Sequence, residues 1–416
     1  MLPVAHRSQD AAYLESPPVP IEGLPQIVLK PRKAAPFFGR HPWVLDSAVD
    51  RVVGDAPPGA VVDLTAENGH WIARGSYNPQ SRIRVRLYTW DREEAVDLAL
   101  WRRRLEAAID LRRVMGYDRV DAARLAFSEA DSLSGLIVDR FGSYLVVQPT
   151  ALGMAQQIDT IAPLLAELTG VRGIIVRAEP SMAKLEGFEL PTRVVWGEAP
   201  DEVIFIEEHG VRYGVQLLLG QKTGFYLDQR ENRRAAAGYF AGRNILDTCC
   251  YTGGFSLAAS KLGQAATVRG YDNSKHAVEL ATNNAALNQL TNVTFEQGEA
   301  FETLDALGAQ GQKFGGIVLD PPKFARGRRG VDEALRAYHR LNQQAVHLLE
   351  RGGILVTCSC SGGVMPEDFQ SMLLGVAMKT KRNIQILEQR GASPDHPVSV
   401  TCAENAYLKC FICRVV

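Results

Sequence analysis

A chain of 416 residues, 46% hydrophobic and 22% charged, exceeds the size at which one core keeps growing, so two or three domains are expected and disorder is not. A formal net charge of -1 excludes attraction of a polyanion by the summed field and leaves that work to local basic patches. No stretch offers about 18 consecutive apolar residues, and the seven cysteines, all at or beyond position 249, are an odd number that suits reduced thiols; a cytoplasmic protein with no membrane contact is expected.

Residues 1–25, with Pro17, Pro18 and Pro20, read as a flexible extension without a signal-peptide run. From residue 26 to 95, short apolar runs (Ile27-Val-Leu29, Ala60-Val-Val-Asp-Leu64, Ile83-Arg-Val-Arg-Leu87) alternate with turn residues such as Pro57-Pro-Gly59 and Asn68-Gly69, which predicts a small β-rich domain. Residues 26–92 hold ten Lys/Arg against six acids, a local sign that favours a polyanion. Strand alternation predicts Arg82, Arg84 and Arg86 on one face, suited either to solvent or to phosphates; Arg32, Lys33 and Trp43 add charge and a stacking surface nearby.

Apolar spacing predicts a helix over 97–115, followed by strands at Gly135–Val138, Tyr144–Val147 and Gly173–Val176 with a helix over 155–169 between them. Residues 96–205 are therefore a central α+β domain. From about residue 206 to 416, strand and helix signals alternate in the manner that builds a parallel sheet, the mark of an α/β domain.

The chemistry concentrates in that last domain. Gly220-Gln-Lys-Thr-Gly-Phe-Tyr-Leu-Asp228 reads as a hairpin leading to a helix, with Asp228 and Glu231 at capping-box spacing; Lys222 and Phe225 sit where the loop could close over a cofactor or a base. In Asp247-Thr-Cys-Cys-Tyr-Thr-Gly-Gly254, Gly253 permits positive φ and the helix that follows aims N–H groups at a ligand, flanked by Tyr251 and Thr252. About 20 residues on, Asp272 ends the next strand, where an acid either accepts hydrogen bonds from ribose hydroxyls or caps a helix. The absence of G-x-G-x-x-G disfavours a pyrophosphate. Glu299 and Ala300 follow a third strand, placed for an adenine amino group or in an exposed loop.

Asp320-Pro-Pro-Lys-Phe324 is a strand end stiffened by two prolines, so that Asp320 can face a planar amine or base edge; Arg326, Arg328 and Arg329 behind it serve either as a solvated run or as a phosphate clamp. At the end of the next strand stand Cys358 and Cys360, two apart and so expected on one side. A thiol beside a methyl donor suits methylation at carbon 5 of a pyrimidine, since thiolate addition at carbon 6 makes carbon 5 nucleophilic. Cys249 and Cys250 are expected to line the turn, Cys402, Cys410 and Cys413 to be structural, and no metal site is predicted.

With Gly220-Gln-Lys-Thr-Gly-Phe-Tyr-Leu-Asp-Gln-Arg230, Cys250-Tyr-Thr-Gly-Gly-Phe255, Asp320-Pro-Pro-Lys-Phe324, Thr357-Cys-Ser-Cys-Ser361 and Asp395-His-Pro-Val398 in place, residues 26–416 resemble the RlmI-type family of bacterial large-subunit ribosomal RNA cytosine-C5 methyltransferases. The resemblance implies an N-terminal PUA domain, a central α+β domain and a C-terminal Rossmann-like domain that binds S-adenosylmethionine (SAM). It implies Asp247, Tyr251, Gly253, Asp272, Glu299 and Asp320 at the cofactor, and Cys360 rather than Cys358 as the nucleophile. Cys358, Asp320 and a water remain alternatives for removal of the carbon-5 proton. The expected partner is large-subunit ribosomal RNA, naked or in an assembly intermediate, with a homodimer left open. The competing readings are methylation of a guanine N2 or other exocyclic amine, which needs no thiol, and a non-catalytic RNA-binding assembly factor.

Overall fold

The computed structural model describes residues 23–218, 223–324 and 330–416. The expectations for Lys222, Arg326, Arg328 and Arg329, and for the extension up to residue 22, lie outside the described residues.

The N-terminal part is a six-stranded sheet built from β1 (Gln26–Leu29), β2 (Trp43–Leu45), β3 (Val49–Val53), β4 (Val61–Thr65), β5 (Trp71–Tyr77) and β6 (Ile83–Thr89), with a short helix α1 (Ala35–Phe38). Its strand order is β2-β6-β5-β4-β1-β3. Ile27, Leu29, Val44, Val62, Leu64 and Val85, all without exposure, form its core. The three arginines predicted on one face meet different surroundings. Arg82 is exposed, Arg84 is half-buried, and Arg86 is buried between two carboxylates of the central domain, Glu129 at 3.0 Å and Glu186 at 3.4 Å. Trp43, expected as a stacking surface, gives its indole N–H to Glu129 at 2.8 Å and lies beneath the Arg86 guanidinium. Arg86 is therefore a staple between domains and not an RNA contact. Burying a cation requires partners, and both partners sit on the neighbouring domain.

The central part comprises α2 (Leu98–Val114), β7 (Ala122–Phe127), β8 (Leu136–Phe141), β9 (Tyr144–Pro149), α3 (Leu152–Gln156), α4 (Ile158–Thr169), β10 (Gly173–Val176), α5 (Pro180–Glu186) and β11 (Arg193–Gly197), with sheet order β11-β10-β9-β8-β7. A hairpin of β12 (Ile204–Glu208) and β13 (Val211–Val215) leads into the C-terminal domain.

That domain continues with α6 (Arg230–Ala237), β14 (Asn244–Thr248), α7 (Gly254–Lys261), β15 (Thr267–Asp272), α8 (Lys275–Leu287), β16 (Val293–Gln297), α9 (Ala300–Ala309), β17 (Phe314–Leu319), α10 (Val331–Leu348), β18 (Leu349–Ser359), α11 (Pro366–Thr380), β19 (Ile384–Arg390) and β20 (Lys409–Val415). The seven strands run β16-β15-β14-β17-β18-β20-β19, the first five parallel and β20 antiparallel to both its neighbours. Successive residues feed opposite layers: Ile245, Val318, Val356 and Ile412 pack into one core, and Leu246, Ile317, Leu355 and Phe411 into the other. Helices on both faces explain why the central strands β14, β17 and β18 are largely apolar on both faces rather than alternating. The strand order reverses at β14, beside β17, which fixes the crevice at the carboxyl ends of these strands as the binding position.

The predicted capping box is not formed. Helix α6 starts at Arg230 with no side-chain cap; Asp228 instead accepts from the Tyr407 hydroxyl, and Glu231 pairs with His209 at 3.1 Å.

Candidate active site

The turn after β14 is held in a strained form by its neighbours. Cys249 (φ 66°) and Tyr251 (φ 49°) adopt the left-handed region without being glycine, next to Gly253 (φ 87°). Such residues persist only where surrounding bonds over-determine them. Here Cys250 N–H donates to Tyr271 O and Tyr251 N–H donates to Asp272 Oδ2, each at 2.9 Å. Asp272 Oδ1 accepts from Ser274 N–H, so its carboxylate ties the glycine turn to the end of β15. The helix-cap alternative belongs to Ser274, whose hydroxyl accepts from Ala277 N–H. Gly253 cannot carry a side chain, since a Cβ there would stand 2.9 Å from Phe295.

Asp247 is 1% exposed, and one of its oxygens, Oδ2, accepts from Ser256 Oγ at 2.7 Å. Its Oδ1 is buried without a hydrogen-bond partner among the described residues, as is Thr252 Oγ1. Burial pushes the Asp247 carboxyl up to about 7; Ser256 opposes the shift, and Asp320 and Asp272 add to it. Three carboxylates around a glycine turn, one with an orphaned acceptor, fit a ligand that brings positive charge. SAM, with a sulfonium and an ammonium, is such a ligand.

Glu299 caps α9, accepting from Glu302 N–H at 3.0 Å, with Ala300 the first residue of that helix. Gly298 N–H donates to Asp272 O at 2.9 Å, which joins the ends of β15 and β16 and brings Glu299 to the same crevice edge as Asp272. Phe225 does not lie in a lid. It is 3% exposed, packed on Tyr213 with ring centroids 4.8 Å apart and under the Arg233 guanidinium. An aromatic ring there gains more from burial than from waiting over a cofactor. Tyr226, beside it, is the part-exposed ring, edge-on to Tyr251 at 5.2 Å.

The two cysteines after β17 part company. Cys358 is fully buried opposite Cys410 in the β18–β20 ladder, and burial, then Cys410, push its thiol well above the ordinary value. Its sulfur belongs to the core, which removes Cys358 from the candidates for catalysis. Cys360 lies just past β18, part-exposed, with Sγ 4.0 Å from the carbonyl oxygen of Pro321. The stiff Asp320-Pro-Pro turn and the thiol thus meet. Cys360 also lies in the electrostatic surroundings of Tyr226, Tyr338, Tyr407 and Lys409, and Asp320 in those of Tyr226, Tyr338 and Asp247. Burial, with the nearby acids, pushes the Cys249 and Cys250 thiols up, which suits lining residues.

Several supporting groups join the domains, and one of them, Asp395-His-Pro-Val398, is marked in the sequence only by the resemblance. Asp395 accepts from Arg124 N–H at 3.0 Å and pairs with Arg230 at 3.3 Å and His396 at 2.9 Å, while its carbonyl accepts from Arg112 at 2.8 Å. The Asp395-His-Pro-Val398 segment is therefore a clasp between the central and C-terminal domains. His41, Cys402 and Glu404 converge with ligand atoms within 4.8 Å of one another. His41 Nδ1 accepts from Trp43 N–H, so the neutral ring carries its proton on Nε2, facing Glu404 at 3.5 Å; the buried Cys402 thiol donates to the same carboxylate. These contacts join the N-terminal sheet to the C-terminal segment.

Among the described residues no helix is long and apolar enough to cross a membrane. Residues 27–90 match the model of a PUA-like domain, and residues 191–414 match that of an S-adenosylmethionine-dependent methyltransferase. The "Ribosomal RNA large subunit methyltransferase I" of Erwinia tasmaniensis is 37% identical over 394 residues, and that of Escherichia coli O157:H7 is 38% identical over 394; each alignment covers 94% of this chain and 99% of the relative. A candidate SAM-dependent methyltransferase from Streptococcus mutans superposes with a TM-score of 0.81 at 19% identity, and a second candidate methyltransferase, complexed with SAH, with 0.80 at 20%; each covers 94% of this chain and 99% of its own, and at that identity they speak to the fold. The matched family, the near end-to-end relatives and the crevice at the β14 turn together make this chain an S-adenosylmethionine-dependent methyltransferase of the ribosomal RNA large subunit methyltransferase I family.

Proposed function

We propose that the chain methylates carbon 5 of a cytosine in large-subunit ribosomal RNA, with Cys360 as a transient covalent nucleophile. The observation that carries this reading is the placement of the Cys360 sulfur, part-exposed and 4.0 Å from Pro321 O, at the turn that presents Asp320. The names of the relatives, spanning the whole chain, support large-subunit ribosomal RNA as the polymer.

The Cys360 thiolate forms a bond to carbon 6 of the ring, and the displaced π-electrons make carbon 5 an enamine-like nucleophile. SAM, when bound, supplies the electrophilic methyl group that carbon 5 takes. A base then removes the carbon-5 proton, the S–C6 bond breaks, and the thiolate leaves with its electron pair. With Cys358 sealed in the core, Asp320 and water remain as proton acceptors. Asp247 and Asp272 supply negative charge on the cofactor side, the latter also fixing the turn. Arg32, Lys33 and Arg82, all exposed on loops of the N-terminal domain, are suited to phosphate contact, whereas Arg86 is spent on the domain interface.

RNA containing 5-fluorocytosine at the target tests this. Fluorine cannot leave as a proton, so a covalent complex should accumulate and peptide mapping should find the base on Cys360. Cys360→Ala should abolish both the adduct and methylation. An active enzyme that forms no adduct, or a Cys360→Ala variant with full activity, would instead favour amine methylation at the Asp320-Pro-Pro turn.

A further inference from the structure

Lys409 is the one lysine buried among the described residues, at 3% exposure. It opens β20 opposite Ser359, and its side chain runs under the loop that carries Cys360. There Nζ donates to Ser361 O and to Tyr407 O, each at 2.7 Å. Both acceptors are neutral carbonyls. No carboxylate of the described residues forms an ion pair with it, although lysine is almost never buried without a counter-charge. The group whose charge favours the ammonium is the thiol of Cys360, one residue before Ser361.

We propose that Lys409 is a positioning residue for the Cys360 nucleophile: pinned beneath residues 360 and 361, its ammonium supplies the positive charge that favours the thiolate and holds the loop in place. This rests on the reading of Cys360 as the nucleophile. A cation near a thiol favours its ionisation, and the favour is larger where water is excluded. The groups around the ammonium agree with that role. Cys360 and Ser361 face it from the loop after β18, Lys323 from the Asp320-Pro-Pro turn, and Tyr407 from the segment leading into β20; Tyr338 on α10 holds Ser361 by its hydroxyl, and Asp228 accepts from Tyr407. Burial pulls the Lys409 ammonium down to about 8, the Cys360 thiol raises it and Lys323 lowers it, so the charge persists at neutral pH and fades above it.

The test is the pH profile of Cys360 alkylation by iodoacetamide in the full-length protein, read site by site by peptide mass mapping. Variants Lys409→Gln, which keeps two N–H donors for the same carbonyls, and Lys409→Met remove the charge; Lys409→Arg keeps it. The alkylation midpoint should rise by about one pH unit in the Gln and Met variants and stay near wild type in the Arg variant. Methylation should fall in parallel at neutral pH and recover partly as pH rises. A midpoint unchanged in folded Lys409→Gln overturns the proposal, whatever the loss of stability, because a purely structural lysine would leave the thiol's ionisation where it was. Full methylation by Cys360→Ala would instead remove the nucleophile reading itself, while the alkylation shift in the lysine variants would still report the electrostatic contact.

Discussion

If Asp247 contacts the cofactor, SAM binding should be coupled to release of its proton. Its carboxyl, pushed up to about 7 from 3.8 by burial and by Asp320 and Asp272, is half protonated near neutrality in the cofactor-free protein. Holding the ionised form there costs roughly 4 kcal/mol relative to an exposed aspartate. Because the folded state binds the extra proton between pH 4 and 7, this group adds stability as pH falls through 7, the reverse of the usual aspartate. A SAM cation docked against Oδ1, which is buried without a partner among the described residues, should return the group to carboxylate and expel the proton. If the bound state ionises fully, SAM affinity should rise about 15-fold from pH 5.5 to 7.0, or ~1.6 kcal/mol, with about half a proton released per SAM at pH 7. Calorimetry in buffers of different ionisation enthalpy measures both quantities. Asp247→Asn should bind more weakly and lose the pH dependence. An affinity flat over this range in wild type, or the same slope in Asp247→Asn, would refute the assignment of Asp247 as the titrating partner of the cofactor.

Two further outcomes follow from the domain interfaces. Arg86→Met strands Glu129 and Glu186 in a buried setting and should cost about 3–5 kcal/mol, seen as a lowered melting temperature, whereas Arg82→Glu should leave stability within about 0.5 kcal/mol and only flatten the salt dependence of RNA binding; equal melting temperatures for the two variants would return Arg86 to the RNA-facing set. Despite burial, which acts the other way, His396, Arg230 and Arg124 N–H hold Asp395 well below the usual carboxylate range, and burial with Arg124 holds His396 below 6.5. Both folded values are depressed, so the unfolded chain takes up more protons as pH falls: the His396 contribution should fade below about pH 6.5 and the Asp395 contribution below about pH 4. Asp395→Asn should therefore melt lower at pH 7 and lose less on acidification, and melting curves that stay parallel to wild type would remove the clasp from the acid response.

The β14, β17 and β18 strands were legible because both of their faces are buried, so the sequence shows unbroken apolar runs ending in turn residues. Asp247, Asp272 and Asp320 could be picked out for a related reason: an acid at the carboxyl end of such a run has few structural excuses. The β7 strand escaped notice because Ala122-Ala-Arg-Leu-Ala-Phe127 is small and carries an arginine, and its burial depends on Asp139 and Asp395, which are distant in sequence. The same blindness explains Arg86. Period-two alternation says which residues share a face, yet whether that face meets water or a second domain is decided by Glu129 and Glu186, 43 and 100 residues away. Alternation also treated Cys358 and Cys360 as equivalent, although the strand ends at Ser359 and only the residue beyond it is released from the sheet. A thiol just past the last rung of a ladder can meet a neighbouring turn, while one two residues earlier must pack against the opposite strand. The distinction between the proposed nucleophile and the core cysteine therefore lies in where β18 stops, and that is set by its pairing with β20, which also delivers Lys409 to the same loop.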